Sequence, residues 1–273
     1  MRYLDNLFLS LPIYLRLVII ALVMALIAIF AIRRKQLTGG GTFAAVVIGT
    51  LIFYIGCVSA LVQMLFFFFS AALISKIIKE NKAARGIQKK GSRRDAVQVL
   101  ANSLPSLVGL AVFYFSPLKS EGLVMFSASI AEAVSDTWSG EIGVLSKNDP
   151  VSIITGTRVP KGLSGGVSAL GCIAALVASF IVGLLNIASY RASLFFLSVI
   201  TVSGTLGSLL DSVLGATVQV HYRKKDGSLT EKEYTDGEKN ERARGIPFVT
   251  NDTVNLLSGL FSSFFAFTLC CLF

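Results

Sequence analysis

The chain has 273 residues, of which 53% are hydrophobic and only 15% charged, and its mean hydropathy is +0.71. A soluble domain carries about a quarter charged residues, so this composition excludes a soluble globular enzyme, a disordered chain, a collagen and a coiled coil. The net charge of +9 does not point to nucleic acid, because the basic residues stand between apolar blocks, where they orient membrane helices.

The apolar blocks are near the length that crosses a bilayer as a helix. They do not alternate polar and apolar, which argues against a membrane β-barrel. The predicted fold class is therefore all-α, a polytopic transmembrane bundle forming one membrane domain over 1–273. Eight spans are predicted in chain order: 12–32, 39–56, 57–77, 96–116, 120–136, 163–187, 192–218 and 252–272. The first ends at Arg33-Arg34-Lys35 and reads as a retained anchor. No charged residue separates the second from the third, so these form a tight hairpin. The fifth is short and polar at its end; were it only re-entrant, seven spans would remain.

Three long polar loops result, 78–95, 137–162 and 219–251. With eight spans, all three fall on the side of Arg33-Arg34-Lys35. Twenty-one of the 25 Lys and Arg then lie on that side, leaving Arg2, Arg16, Lys119 and Arg191 opposite. Positive loops stay cytoplasmic, so both termini are expected outside, in a prokaryotic plasma membrane. The loop 219–251 carries both signs of charge and reads as solvated, with a hairpin at Lys225-Asp226-Gly227.

Acids in membrane spans are costly and suggest function. Four polar clusters occur near the cytoplasmic ends of spans. In the first, Asp95, Gln98 and Asn102 share a helical face; Asp95 also suits a helix cap and Asn102 an interhelical hydrogen bond. In the second, Glu132 and Asp136 are four apart, and two such carboxylates repel unless a cation or a proton sits between them. The third places Gly204, Gly207, Asp211 and Gly215 on one face, with Gln219 two turns on. The fourth is Asn251-Asp252-Thr253-Val254-Asn255, in which Asp252 also suits an N-cap. One polar pocket open to the cytoplasm would explain all four.

Cations flank these acids. Gly91-Ser92-Arg93-Arg94 precedes the first cluster, and Gly156-Thr157-Arg158 through Lys161, Ser164, Gly165 and Gly166 leads into the sixth span. Helix N-termini there offer anion sites. Acids for a metal, cations for phosphates and Gly-rich helix starts are the components of phosphoryl or nucleotidyl transfer. Gly86 and Gly91 have Walker-like spacing, but Ser92-Arg93 follows and no strand precedes, so no soluble nucleotide motif is present. Cys57, Cys172, Cys270 and Cys271 lie in apolar segments as small hydrophobes. His221 is the sole histidine, so histidine catalysis has almost no material.

Gln98-Val-Leu-Ala-Asn102, Ser135-Asp136-Thr137-Trp138-Ser-Gly-Glu141-Ile-Gly143, the Gly204–Gln219 stretch and Asn251-Asp-Thr-Val-Asn255-Leu-Leu-Ser258 resemble one integral membrane family. It is the family of transmembrane protein 19 and phytyl-phosphate kinase, and the likeness covers most of the chain after about residue 36. It is also distantly similar to CTP-dependent polyprenol kinases and phosphatidate cytidylyltransferases. The resemblance implies a kinase that converts a prenyl (phytyl-like) monophosphate to the diphosphate, with a nucleoside triphosphate, CTP or ATP, as donor. A CDP-lipid-type nucleotidyltransferase and a non-enzymatic carrier are the alternatives.

The residues allow roles to be assigned for that reaction. Glu132, Asp136 and Asp211 would hold Mg²⁺. Arg94, Arg158, Lys161 and the helix start at Ser164, Gly165 and Gly166 would take nucleotide phosphates. Asn102, Asn251 and Asn255 would hold the acceptor phosphate or metal-bound water, and Asp211, Asp136 and Asn102 would act at the reacting atoms. The expected partners are a prenyl-phosphate lipid and the bilayer, with no nucleic acid.

Overall fold

The computed structural model describes residues 2–77, 93–235 and 237–273. The Lys79–Lys90 basic run, Gly86 and Gly91-Ser92 lie outside the described residues. The helices are α1 (Arg2–Ser10), α2 (Ile13–Arg33), α3 (Gly39–Ile77), α4 (Ala96–Phe115), α5 (Lys119–Gly143), α6 (Ala169–Tyr190), α7 (Leu194–Thr217) and α8 (Asn251–Leu272).

Helix α3 breaks at Cys57, whose φ of 59° and ψ of −159° leave helical space. Its arms fold side by side: Ala45 and Ile48 of the first line one crevice with Met64 and Phe67 of the second. This is the expected hairpin between the second and third spans. Among the described residues, six helices are long and apolar enough to cross a membrane, and α3 is one of them. Helix α5 is not among the six, because its polar residues lower its hydropathy. It is nonetheless the centre of the bundle, packing against α3, α4, α6, α7 and α8. Every residue from Val124 to Ser135 is buried.

Small residues allow that central position. A Cβ on Gly109 of α4 would stand 2.3 Å from the Phe126 backbone nitrogen, and one on Gly122 of α5 would stand 2.4 Å from that of Phe113. The two backbones therefore touch, as glycine permits between membrane helices. Buried hydroxyls supply polar contacts: Ser135 Oγ donates to the Ala175 carbonyl at 2.8 Å, and Ser262 Oγ to that of Ala128 at 2.9 Å.

Two sequence boundaries are corrected. Helix α5 runs to Gly143 rather than ending near 136, so the start of the expected 137–162 loop is helical. The sixth span begins at Ala169, not 163, because Gly166–Val167 (β2) pairs antiparallel with Val151–Ser152 (β1). Its N-cap is Ser168, whose hydroxyl accepts from Gly171 N at 3.1 Å. Ser164, Gly165 and Gly166 thus form a turn and strand rather than a helix start.

The 219–251 segment is also more ordered than a solvated loop. His221–Arg223 (β3) lies between Leu229–Thr230 (β4) and Glu241–Arg244 (β7), and Tyr234–Thr235 (β5) pairs with Glu238–Lys239 (β6). The expected turn at Lys225-Asp226-Gly227 is present: Gly227 has φ +82°, and Asp226 Oδ1 accepts from Ser228 N at 2.9 Å. This cap, the 143–168 segment and the 33–38 and 93–95 connections gather at one end of the bundle, around a shared cavity. Asp5, Ser59 and the α3 reversal lie at the other.

Candidate functional site

The cavity at the capped end has a volume of about 980 Å³. Helices α5 and α7 form its floor. Asp136 and Asp211 reach its wall, and Glu231 joins them from the cap. Glu132 lies one turn below Asp136, buried and off the wall.

One hydroxyl ties the floor together. Ser258 Oγ of α8 donates to Glu132 Oε1 at 2.7 Å and lies 3.3 Å from Asp211 Oδ2. Asn255, with its amide nitrogen toward Asp211, donates to Asp211 Oδ2 at 3.0 Å and to the Asn251 carbonyl at 3.2 Å. Gly207 of α7 makes room for this arrangement, since a Cβ there would stand 2.6 Å from Glu132 Cγ. The helix bearing Asp211 and the helix bearing Glu132 therefore meet at their acids.

Asp211 stands close enough to Asp136, Glu132 and Glu231 to be repelled by each, and Asp136 is close to both Glu132 and Glu231. Among the described residues, no Lys or Arg forms an ion pair with Glu132, Asp136 or Asp211. The donors are hard carboxylate oxygens, and Mg²⁺ characteristically takes one or two of these plus phosphate oxygens and water. Two acids on the wall suit it. Among the described residues no set of three His, Cys, Asp or Glu is placed to enclose an ion by itself, so remaining positions would be filled by phosphate and water.

The cations occupy the same cavity. Arg34, Lys35, Lys76, Arg94, Lys161 and Lys232 line it. Lys161 Nζ donates to the Ser146 carbonyl at 2.5 Å, which holds the ammonium at the rim. Arg94 lies over the Phe67 ring, 5.1 Å from its centroid. Burial pulls its guanidinium below its ordinary pKa, and Glu141 opposes that pull; an arginine remains charged regardless. Glu141 is itself held by Ser75 Oγ at 2.6 Å.

The expected site residues divide in the structure. Asp136, Asp211, Arg94, Lys161, Ser164, Gly165, Gly166 and Asn251 all line the cavity. Glu132 and Asn255 support it from beneath. Arg158 does not reach it: it is exposed beyond the wall, in a β-bridge with Val151. Asn102 is also outside, in a separate apolar crevice, and its Nδ2 donates to Gln98 O of its own helix at 2.9 Å. Asp95 is the N-cap of α4, in a reciprocal capping box with Gln98. Thr250, not Asp252, caps α8, which leaves Asp252 on the cavity wall.

Ser258 and Glu231 carry roles that residue patterns did not assign. Ser258 follows Asn255 by three positions and so shares its face, which is a usable signal. Glu231 gave none, since acids in a loop of mixed charge read as solvated; here it is buried and accepts from Ser164 Oγ.

The model for "Integral membrane protein DUF92" matches residues 22–263, which takes in every wall of the cavity. The chain belongs to the DUF92 integral membrane family. It is 30% identical to Protein PGR of Arabidopsis thaliana over 277 aligned positions, covering 91% of this chain and 94% of that one. It is 31% identical to the uncharacterized membrane protein MJ0933 of Methanocaldococcus jannaschii, covering 74% of this chain and 83% of the relative. Protein VTE6, chloroplastic, of Arabidopsis thaliana is 27% identical over 67% of this chain and 56% of its own length. No solved structure matches. This DUF92 chain is an integral membrane protein with homologues in plants, archaea and cyanobacteria.

Proposed function

We propose that this protein is a membrane phosphotransferase that moves the γ-phosphoryl group of a nucleoside triphosphate onto a prenyl monophosphate, giving the diphosphate. The observation that carries the reading is the cavity's division of labour: Asp136 and Asp211 beside each other on one wall, cations such as Arg94 and Lys161 elsewhere on it. The motif resemblance to the phytyl-phosphate kinase family supports the same reaction.

A phosphate monoester has a second pKa near 6, so the acceptor is already a dianionic nucleophile at neutral pH. One of its oxygens attacks the γ-phosphorus, the bond from that phosphorus to the β-bridging oxygen breaks, and the nucleoside diphosphate leaves. No general base is needed, which suits a site without histidine. The protein's tasks are in-line positioning and charge neutralisation of two anionic partners. Lys161 and Arg94 neutralise phosphate oxygens, and Asn251 offers its amide to them. Asp136 and Asp211 would hold Mg²⁺, with Ser258 and Asn255 fixing Asp211 from below. Bound there, Mg²⁺ would neutralise charge developing on the transferred group. The cavity opens at the end where the basic loops gather, so under the positive-inside rule it would face the cytoplasm.

The test is mass spectrometry of products after incubating the purified protein with Mg²⁺, a panel of nucleoside triphosphates and prenyl monophosphates. The expected product is the prenyl diphosphate with release of nucleoside diphosphate. Asp211→Asn should lower turnover by about 10²-fold or more, the scale of a lost electrostatic contribution. No diphosphate with any pair, or unchanged turnover in Asp211→Asn, would overturn the assignment. Pyrophosphate release with a nucleotide-linked lipid would replace it by nucleotidyl transfer.

A further inference from the structure

A second, smaller cavity lies beside the first. It is a crevice of about 80 Å³ between α2, both arms of α3 and the start of α4. Met24, Ile27, Leu61 and Leu65 give it hydrocarbon walls. Three residues, Phe68, Arg94 and Gln98, line both the crevice and the large polar cavity. The two spaces therefore meet at one arginine.

Arg94 is well set for an anion at that junction. Among the described residues no hydrogen bond or salt bridge engages its guanidinium. Its main chain is pinned on both sides, with its N–H donating to Gln36 O at 2.9 Å and its carbonyl accepting from Thr38 N at 3.0 Å. The Phe67 ring supports the guanidinium face, leaving the planar donor fork for a phosphate, which it can meet with two parallel hydrogen bonds. Glu141 acts on this charge from the same cavity without a hydrogen bond to it. A nucleotide at Arg94 would leave the crevice empty, and a neutral lipid would leave the donor fork without an acceptor. A phosphate monoester on a hydrocarbon chain satisfies both.

We propose that the crevice holds the phosphate-proximal carbons of the lipid acceptor while Arg94 binds its monophosphate at the mouth of the nucleotide cavity. This rests on the prenyl-monophosphate reading of the acceptor. A volume of about 80 Å³ takes the first carbons and not a whole polyprenyl chain, so the distal units lie in the bilayer. The crevice also explains the position of Asn102. It lines the tail site beside Gln98 and touches neither the acids nor the nucleotide phosphates.

The experiment is photoaffinity labelling of the full-length protein in lipid nanodiscs, without nucleotide. The probe is geranyl monophosphate with a diazirine on its first isoprene unit, and labelled peptides are mapped by mass spectrometry. Labels are expected on α2 and α3, at Met24, Ile27 and Leu65, with competition by geranylgeranyl monophosphate but not by geranylgeraniol or inorganic phosphate. Ala45→Phe, which fills the crevice, should reduce labelling about tenfold or more, the scale of an obstructed hydrophobic pocket. Arg94→Gln should reduce it about tenfold or more through loss of the charge-assisted pair. Labels confined to other helices, or undiminished labelling in a folded Ala45→Phe protein, would overturn the proposal. Equal competition by a straight-chain alkyl phosphate would overturn its prenyl part. The label map of the unaltered protein decides the matter even if Ala45→Phe does not fold. Because no nucleotide is present, the result is independent of whether phosphoryl transfer occurs.

Discussion

Ser258 Oγ donates to Glu132 Oε1 at 2.7 Å, joining side chains 126 positions apart in the chain. The same hydroxyl lies 3.3 Å from Asp211, so it orients both acids at once. Ser258→Ala leaves a buried carboxylate oxygen without its donor, which costs about 1–3 kcal/mol. Groups that orient metal-binding side chains typically contribute about 10–100-fold in affinity or activity. The variant is therefore expected to bind Mg²⁺ more weakly and turn over more slowly, as read from the Mg²⁺ dependence of diphosphate formation. Ser258→Thr, which keeps the hydroxyl, should recover most of the loss.

Gly207 and Gly140 give contrasting outcomes for the same substitution. An alanine Cβ at 207 would stand 2.6 Å from Glu132 Cγ and 3.0 Å from Ser262 Cβ, both on neighbouring helices, whereas nothing lies within 4 Å of the corresponding position at 140. Gly207→Ala should destabilise the bundle by about 1–3 kcal/mol through overpacking. Gly140→Ala should leave stability unchanged or raise it by up to about 1 kcal/mol through helix propensity. Thermal unfolding in detergent compares the two directly.

Lys161 and Arg158, three residues apart, should differ in their effect on nucleotide binding. Lys161 lines the cavity, and Arg158 is exposed outside it. Lys161→Gln is expected to raise the nucleotide KM about tenfold, as loss of a charge-assisted phosphate contact does, while Arg158→Gln leaves it unchanged. Equal effects of the two would place the nucleotide elsewhere.

His221 sets a pH response of the cap. Burial lowers its pKa below the ordinary imidazole value; the Gln219 carbonyl, which its Nδ1 meets at 3.0 Å, opposes this, and Arg244 lowers it further. The unfolded chain therefore takes up a proton at a pH where the folded chain still refuses it. Stability rises with pH wherever the unfolded state binds more protons, so this contribution is complete above about pH 6.5 and declines as pH falls below it. Unfolding temperatures at pH 7.5 and 5.5 should differ less in His221→Gln than in the unaltered protein.

Block lengths and loop charges made the helices legible, and the absence of charge between the second and third spans made their reversal legible. The Asp95 cap and the turn at Gly227 were legible because each rests on contacts within a few residues. What the sequence could not disclose depends on distant partners. Ser164 to Gly166 read as a helix start until Val151–Ser152 supplied a strand to pair with. Asn102 shares a helical face with Asp95 and Gln98, yet which neighbours that face meets is set by where α2 and α3 pack. Glu231 is indistinguishable in sequence from a solvated acid, and only the folding of the cap over Ser164 brings it to the cavity. The acids on α5, α7 and α8 were individually conspicuous because of their cost in a membrane. Their shared hydroxyl was not, since serine is a common occupant of packed membrane helices.

Helix α5 is surrounded by five other helices and buried along its middle, which bears on how the chain is made. A segment carrying Glu121, Glu132 and Asp136 partitions poorly into lipid on its own. Only Ser116, Pro117 and Leu118 separate it from α4, whose backbone it touches at Gly109. During biosynthesis α5 is therefore expected to enter the bilayer alongside α4, with the acids of the cavity floor sheltered only once α7 and α8, translated later, close around them.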